Sequence, residues 1–265
     1  MRLRTLAICL LTVGLLPLLA RGDEWHRSFA VQGEPILHVE TNDGNVQINS
    51  WDRPEIDARV VTSGWTIGPH GIEITPTQNG NEVDLVVRRP HENWNWSWGG
   101  RWVRVELTVP RRLTLNARTG DGNLTLAFVG GKLRVHTGDG NVQADNLDAA
   151  QFDGTTGDGN IRLSGRFDEL TLHSGDGNVR VQASDGSKIA SPWTLGSGDG
   201  NIDLAVPAAF KAELEARTGD GSITLDLPVT MTGAVSRNNV HGQINGGGGV
   251  LAIHTGDGSI HLSRS

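Results

Sequence analysis

The sequence predicts an all-β protein, a β-solenoid built from repeats of about 18–21 residues, on three observations. Glycine supplies 36 of the 265 residues, about double its usual share, without the Gly-x-y period of collagen. The string Thr-Gly-Asp-Gly-Asn recurs along the chain with small variations. Apolar and polar residues alternate after each copy, which is the pattern of a half-buried strand.

The N-terminal segment has the pattern of an export signal. Arg2 and Arg4 precede a weakly polar to apolar run from Thr5 to Leu19, and the small Ala20 ends the segment. The run is shorter than the roughly 20 residues of a spanning helix, so we expect residues 1–20 to be a cleaved signal peptide. The single cysteine, Cys9, lies inside it, so the mature chain has no disulfide.

The mature chain is acidic. Without the two signal arginines, 21 basic residues remain against 30 acidic ones, a formal charge of −9. That balance argues against nucleic acid and anionic lipid as partners. A second apolar segment of spanning length is absent from the sequence. We therefore expect an exported protein of the periplasm, cell envelope or extracellular space, without a transmembrane segment after cleavage.

The repeats are aligned on the aspartate of the turn. Eight copies contain it: Asp43, Asp121, Asp139, Asp158, Asp176, Asp199, Asp220 and Asp257. A ninth, degenerate copy places His241 at this position. The spacing from Asp121 onward predicts one supersecondary unit per repeat.

Two apolar columns flank the turn. The residue six before the aspartate is apolar in every copy: Leu37, Leu115, Leu133, Phe152, Leu170, Trp193, Leu214, Val235 and Leu251. The residue three after the aspartate is Val, Leu or Ile in every copy. The residue four after it, which lies between this apolar position and the next one at five after, is mostly polar. Each unit therefore reads as strand, Gly-Asp-Gly turn, strand, with one face of each strand in the core.

Two assemblies fit this unit. In a solenoid each repeat is one coil and equivalent positions stack, whereas in an antiparallel hairpin meander or sandwich Asp-Gly is a two-residue hairpin turn. The glycines are expected to supply positive φ at the bend. The solenoid is favoured, because stacked corners require the same residue at the same offset and meander strands do not.

Regularity is interrupted between Asp43 and Asp121. Strand-like runs are predicted at 55–61, 71–75, 82–88 and 102–109. The chain thus divides into a leader at 21–33, a first coil with an irregular β region or cap at 34–110, and a regular repeat domain at 111–265. Since Leu262 lies three residues from the last residue, the C-terminal edge is expected to be uncapped and open to self-association.

The segment 103–110, Val-Arg-Val-Glu-Leu-Thr-Val-Pro, leads into Leu113-Thr114-Leu115 and then into the train of Thr/Ser-Gly-Asp-Gly-Asn/Ser-Ile/Val turns. These residues resemble the bacterial putative-adhesin family of exported β-strand-repeat proteins of unknown function, relatives of autotransporter-adhesin head domains. The resemblance covers about residues 34–262. It implies a right-handed β-solenoid in an exported or envelope-associated protein, and its motif is structural.

The aspartates are interpreted as a structural turn ladder. Each carboxylate is expected to accept backbone N–H groups of its own turn, with nearby cations offsetting repulsion between neighbours. Ca²⁺ is the alternative, because glycine-rich turns with oxygen ligands bind it in shorter repeats. No other cofactor is predicted. A metal site formed by His136, His173 and His254 is not expected, since stacking places His136 and His173 two coils apart.

The tryptophans suggest a binding surface. Trp94, Trp96 and Trp98 alternate, so a strand would present them on one face, and Trp102 follows a Gly-Gly turn. Such rings suit a glycan or a protein partner, or alternatively they cover the end of the core. No catalytic constellation interrupts the repeats. The sequence therefore predicts a non-catalytic adhesin or envelope scaffold, with a carbohydrate-binding or carbohydrate-processing β-helix as the alternative.

Overall fold

The computed structural model describes residues 22–89, 100–232 and 236–265, and every regular element in these ranges is a β-strand. The predicted signal peptide and Trp94, Trp96 and Trp98 fall outside the described residues. Within the described ranges no helix could cross a membrane.

Seven strands occupy residues 24–110: β1 (Glu24–Ala30), β2 (Ile36–Thr41), β3 (Asn45–Trp51), β4 (Glu55–Ser63), β5 (Glu73–Asn79), β6 (Glu82–Arg88) and β7 (Trp102–Pro110). The four strands predicted within the irregular region are all present. Three of them begin at the predicted residue, and β5 begins two residues later than predicted.

The remaining strands are β8 (Arg112–Thr119), β9 (Leu124–Ala127), β10 (Gly130–Thr137), β11 (Val142–Thr156), β12 (Ile161–Phe167), β13 (Leu170–Ser174), β14 (Val179–Ala183), β15 (Trp193–Ser197), β16 (Ile202–Val206), β17 (Ala212–Thr218), β18 (Ile223–Asp226), β19 (Val229–Met231), β20 (Asn239–Ile244), β21 (Gly249–Thr255) and β22 (Ile260–Arg264). Each of the eight turn aspartates lies between two consecutive strands.

The strands stack in two parallel ladders, which we call sheet A and sheet B. Sheet A contains the strands that precede the turns, in the order β2, β8, β10, residues 152–156 of β11, β13, β15, β21 and β17. Sheet B contains the strands that follow the turns, in the order β3, β9, residues 142–145 of β11, β12, β14, β16, β22 and β18. Strands therefore pair between coils and not across the turn, which confirms the solenoid and excludes the hairpin meander.

Spatial order departs from sequence order at the C-terminal end. Strand β21 lies between β15 and β17, and β22 lies between β16 and β18. The coil of Asp257 is thus inserted between the coils of Asp199 and Asp220. The prediction that the C-terminal strand forms an open edge for self-association is wrong, because both edges of β22 are already hydrogen-bonded to neighbouring strands.

The degenerate ninth copy does not form a coil. Strand β20 runs through it and pairs antiparallel with β17 on one side and β19 on the other. His241 lies within β20, and Val240 stands where the aspartate copies from Asp121 onward have the first glycine of the turn. Val240 is buried and β-branched, which favours an extended strand over a bend.

The N-terminal end is closed by a different arrangement. Strands β6 and β7 continue sheets A and B beyond β2 and β3 in parallel register. Antiparallel strands then cover them, β5 on β6, and β4 followed by β1 on β7. The segment expected as a leader therefore contributes the outer strand β1.

The core lies between the sheets and follows the predicted columns. Within the described residues, the position six before each turn residue is at most 1% exposed in the eight aspartate copies. The largest side chain, Trp193, packs against Phe167 and Phe210 with ring centroids 6.3 Å and 5.0 Å away. One continuous apolar interior thus connects the coils and fixes which residues face outward.

Candidate functional site

The repeated turn is held by a buried hydroxyl two residues before each aspartate: Thr41, Thr119, Thr137, Thr156, Ser174, Ser197, Thr218 and Thr255. Thr137 Oγ1 donates to the carbonyl oxygen of Gly122 in the preceding coil at 2.8 Å and accepts the N–H of Gly140 at 3.2 Å. The same bond to the neighbouring coil recurs from Thr156, Ser174, Ser197, Thr255 and Thr218. From Thr119 onward, each hydroxyl therefore joins its own turn to that of a neighbouring coil.

The glycines beside the aspartates serve close packing. Among the described residues none of these glycines has a positive φ, so the expectation of left-handed backbone at the bend is wrong. Instead, a Cβ added at Gly140, Gly159 or Gly177 would lie less than 3.0 Å from a glycine carbonyl of the neighbouring coil. Stacking the turns at strand spacing leaves no room for a side chain there.

A second ladder runs two residues after the aspartates. Asn141 Oδ1 accepts the backbone N–H of Asn160 at 2.9 Å and its side-chain Nδ2–H at 3.1 Å. The backbone bond recurs at 2.8–3.0 Å from Asn45 to Ser259, through Asn123, Asn141, Asn160, Asn178 and Asn201. These asparagines are exposed except for the half-buried Asn45. Each carbonyl oxygen is used in the ladder, while one side-chain N–H per residue stays available.

The aspartates themselves form an exposed row. Asp43 is paired with Arg89, and the other seven carboxylates are exposed. Within the described residues these seven make no hydrogen bond or ion pair, so the expected bonds to their own turns and to cations three residues earlier are not formed. The backbone N–H that was expected to donate to a carboxylate donates instead to the buried hydroxyl.

The asparagine ladder forms one wall of a groove on sheet B. The groove has a volume of 740 Å³ and crosses six coils. It is lined by Asn45, Asn123, Asn141, Asn160, Asn178 and Asn201, and by Gln47, Thr125, Gln143, Arg162, Arg180 and Asp203 of the outward row. The surface offers hydrogen-bond donors at the spacing of the strands, about 4.7–4.9 Å.

Charges are grouped at one end of the outward row. Arg180 donates to Asp203 at 2.8 Å, and His261 Nε2 lies 2.8 Å from Asp226. Arg162, in the preceding coil, has no ion pair among the described residues. The groove therefore carries an available guanidinium beside a neutralised pair.

Of the predicted tryptophan surface, only Trp102 is described. Its exposed fraction is 41%, and the guanidinium carbon of Arg104 lies 5.1 Å from its ring centroid. The other three tryptophans lie in sequence between β6 and β7, outside the described residues.

The three outward histidines of sheet A do not meet. Thr155 stands between His136 and His173 in register, and Gly196 stands between His173 and His254. No pair of them occupies adjacent strands, so they hold no common ion.

The side chains whose pKa is clearly shifted are members of surface ion pairs. The hydrogen bond from Arg59 lowers the pKa of Glu24, and the hydrogen bond from Arg111 lowers that of Asp52. Both pairs join strands or loops of the N-terminal region. The shifts indicate structural contacts and not a proton-transfer site.

Three solved structures cover nearly the same length as this chain. A putative cell adhesion protein from Clostridium sporogenes is 14% identical, with 92% of this chain and 100% of that one covered and a TM-score of 0.45. A putative adhesin from Bacteroides fragilis is 16% identical, with 91% and 97% covered and a TM-score of 0.48. A putative lipid binding protein from Parabacteroides distasonis is 10% identical, with 92% and 98% covered and a TM-score of 0.44.

No curated protein matches the sequence. Residues 36–263 match the family described as Toastrack DUF4097, which spans both sheets and all eight aspartate turns. The stacked coils with their repeated turn agree with the resemblance that the sequence carries, and the chain belongs to the Toastrack DUF4097 family.

Proposed function

We propose that this chain is an exported, non-catalytic adhesin or envelope scaffold that presents the groove of sheet B to a cell-surface partner. The observation that carries the proposal is the pair of side-chain ladders on either side of the turn. They fix the coils in register, so the groove presents one asparagine per coil at constant spacing.

Rigidity supports this role because binding to a preformed surface requires little ordering of side chains. In the middle of the ladder each asparagine carboxamide is already held by three hydrogen bonds, one that its Nδ2 donates and two that its Oδ1 accepts. Their remaining N–H groups, together with Arg162, suit a polar or anionic polymer that can contact several coils at once. A glycan or an extended protein segment has that chemistry.

The test compares the binding of fluorescently labelled chain to isolated bacterial envelopes for three proteins. Arg162→Ala combined with Asn160→Ser is expected to reduce binding at least about tenfold, the loss of one charged and one neutral hydrogen bond. Arg217→Ala, an exposed arginine of sheet A, is the matched control and should bind as the parent does. Equal binding by the groove variant and the parent would remove the groove from the proposal.

Carbohydrate binding through the tryptophans is the second candidate. The exposed Trp102 ring, next to Arg104, favours it because a flat apolar face with a polar neighbour stacks on sugar C–H groups. A glycan array would test it: Trp94, Trp96 and Trp98 replaced together by Ala should abolish any sugar signal. Retention of the signal in this variant would assign sugar binding elsewhere.

A further inference from the structure

A mixed cluster of ligand groups lies away from the groove, at the N-terminal end of sheet A. His38 of β2 and Asp84 of β6 are direct partners in the parallel ladder, and Glu82 lies two residues before Asp84 on the same outward face. Side chains on one face of adjacent strands are neighbours. The register therefore brings one imidazole and two carboxylates together from strands 44 to 46 residues apart in sequence.

We propose that His38, Glu82 and Asp84 bind one divalent transition-metal ion, with Zn²⁺ as the ion that fits them best. His38 Nε2 lies 3.3 Å from Glu82 Oε1, and ligand atoms of all three residues lie within 4.8 Å of one another. A tetrahedral zinc ion with bonds of about 2.0–2.2 Å requires donors about 3.3–3.6 Å apart. Small side-chain rotations on this partly exposed surface close the remaining distance.

The donor set itself favours zinc over calcium. Imidazole nitrogen with carboxylate oxygen is a common zinc combination, whereas calcium takes six to eight oxygens. Three protein ligands leave a fourth position for water. Thr77 Oγ1 donates to Asp84 Oδ2 at 3.1 Å, which orients one ligand from the neighbouring strand β5.

A buried polar atom without a described hydrogen-bond partner, next to the cluster, also supports a bound cation. Asn116 of β8 is the ladder partner of His38 on its other side. Its Oδ1 is buried and has no hydrogen-bond donor among the residues that the structure describes. A buried carbonyl oxygen without a partner is costly, and a cation or a water bound to a cation would satisfy it. His38 and Asn116 line the same hollow, of 220 Å³.

Charges around the hollow set the affinity. Glu40 lines it and favours a cation, while Arg118 lines it and opposes one. Arg88 lies 3.9 Å from Glu40 and neutralises it in part. The bound ion would connect β2 of the first aspartate coil to the neighbouring strand β6, as a clip at the N-terminal end of sheet A.

Titration calorimetry of tag-free chain with ZnCl₂, with melting temperature as a second readout, tests the site. We expect one Zn²⁺ per chain and a higher melting temperature with zinc, because an ion that binds only the folded chain stabilises it. His38→Ala and Glu82→Gln should each weaken binding at least about tenfold. Co²⁺ in place of Zn²⁺ should give the absorption of a tetrahedral site in the parent and not in His38→Ala.

His136→Ala is the matched control, since His136 is an exposed histidine of the same sheet and is not part of the cluster. It should bind zinc as the parent does. Absence of zinc binding in the parent would overturn the proposal, as would binding that His38→Ala leaves intact or that His136→Ala weakens equally. These outcomes are independent of the envelope-binding test, because the groove lies on sheet B.

Discussion

The hydroxyl of Thr137 donates a 2.8 Å hydrogen bond to the carbonyl oxygen of Gly122, fifteen residues earlier and one coil away. The same hydroxyl accepts the N–H of Gly140 in its own turn. A threonine or serine therefore satisfies two backbone groups that the bend would otherwise leave unpaired in a buried place. This contact explains why the residue two before each turn aspartate is threonine or serine.

Replacing Thr137 by valine keeps the shape of the side chain and removes the hydroxyl. The Gly122 carbonyl and the Gly140 N–H then lose a partner inside the stack, so we expect the free energy of unfolding to fall by about 1–3 kcal/mol. Urea denaturation measures this change. Thr171→Val, on the exposed face of β13, is the control and should change stability by less than about 0.5 kcal/mol. Similar values for both variants would contradict the role of the hydroxyl ladder.

Gly140→Ala tests close packing of the turns. The new Cβ would overlap the Gly122 carbonyl oxygen, which belongs to backbone and cannot rotate away. We expect destabilisation of roughly 3 kcal/mol, at the upper end of overpacking effects. Gly100→Ala, where an added Cβ meets no atom of the described residues within 4 Å, is the comparison and should be tolerated. A stable Gly140→Ala variant would show that the coils can separate at the bend.

Asp158→Asn tests whether the exposed aspartates stabilise the stack. The carboxylate has no described partner and its ladder neighbours are Asp139 and Asp176, so its removal relieves repulsion of under about 1 kcal/mol per pair. We expect the melting temperature to stay constant or rise slightly at low salt. Added NaCl should reduce the difference, because it screens exposed charges. A marked loss of stability would mean that the carboxylate contributes a contact.

The ion pair between Glu24 and Arg59 predicts that acid lowers the stability of the N-terminal end. Its pKa is lowered in the folded chain by the hydrogen bond from Arg59, so its contribution to stability is present above the ordinary value of 4.5 and is lost as the pH falls through the lowered pKa. The protection factors of the β1 amides, corrected for the pH dependence of intrinsic exchange, should therefore fall below pH 4.5. In Glu24→Gln this fall should be weaker, and an identical dependence of protection on pH in both chains would exclude the pair as its cause.

The sequence predicts the coil well because the same residues must occupy the same offsets in every repeat. Leu133 and Val142 are inward, as the alternation requires. The role of the turn residues was less accessible, since both positive φ and close packing favour glycine. Only the register of stacked coils shows that Gly140 meets the carbonyl of Gly122.

The order of coils could not be read from local sequence. The turns of Asp220 and Asp257 have nearly the same residues, so the turn motif does not determine which of them lies next to Asp199. The proposed metal site of His38, Glu82 and Asp84 could not be found from the sequence for a related reason. His38 and Asp84 are adjacent only because β6 pairs in parallel with β2, and neither residue lies in a recognisable ligand spacing.

The position of the last coil gives a prediction about truncation. A chain that ends at residue 248 lacks β21 and β22, which lie between β15 and β17 and between β16 and β18. Removing this coil takes away four buried side chains and exposes the core residues that they contact in both neighbouring coils. The four are Leu251, Ile253, Ile260 and Leu262. We therefore expect residues 193–226 to lose cooperative unfolding, which hydrogen exchange and circular dichroism would detect. Deleting residues 22–30 removes only the outer strand β1 and should leave the same region protected. Protection of residues 212–226 in the chain that ends at residue 248 would contradict the inserted coil, because an outermost coil can be removed without separating its neighbours.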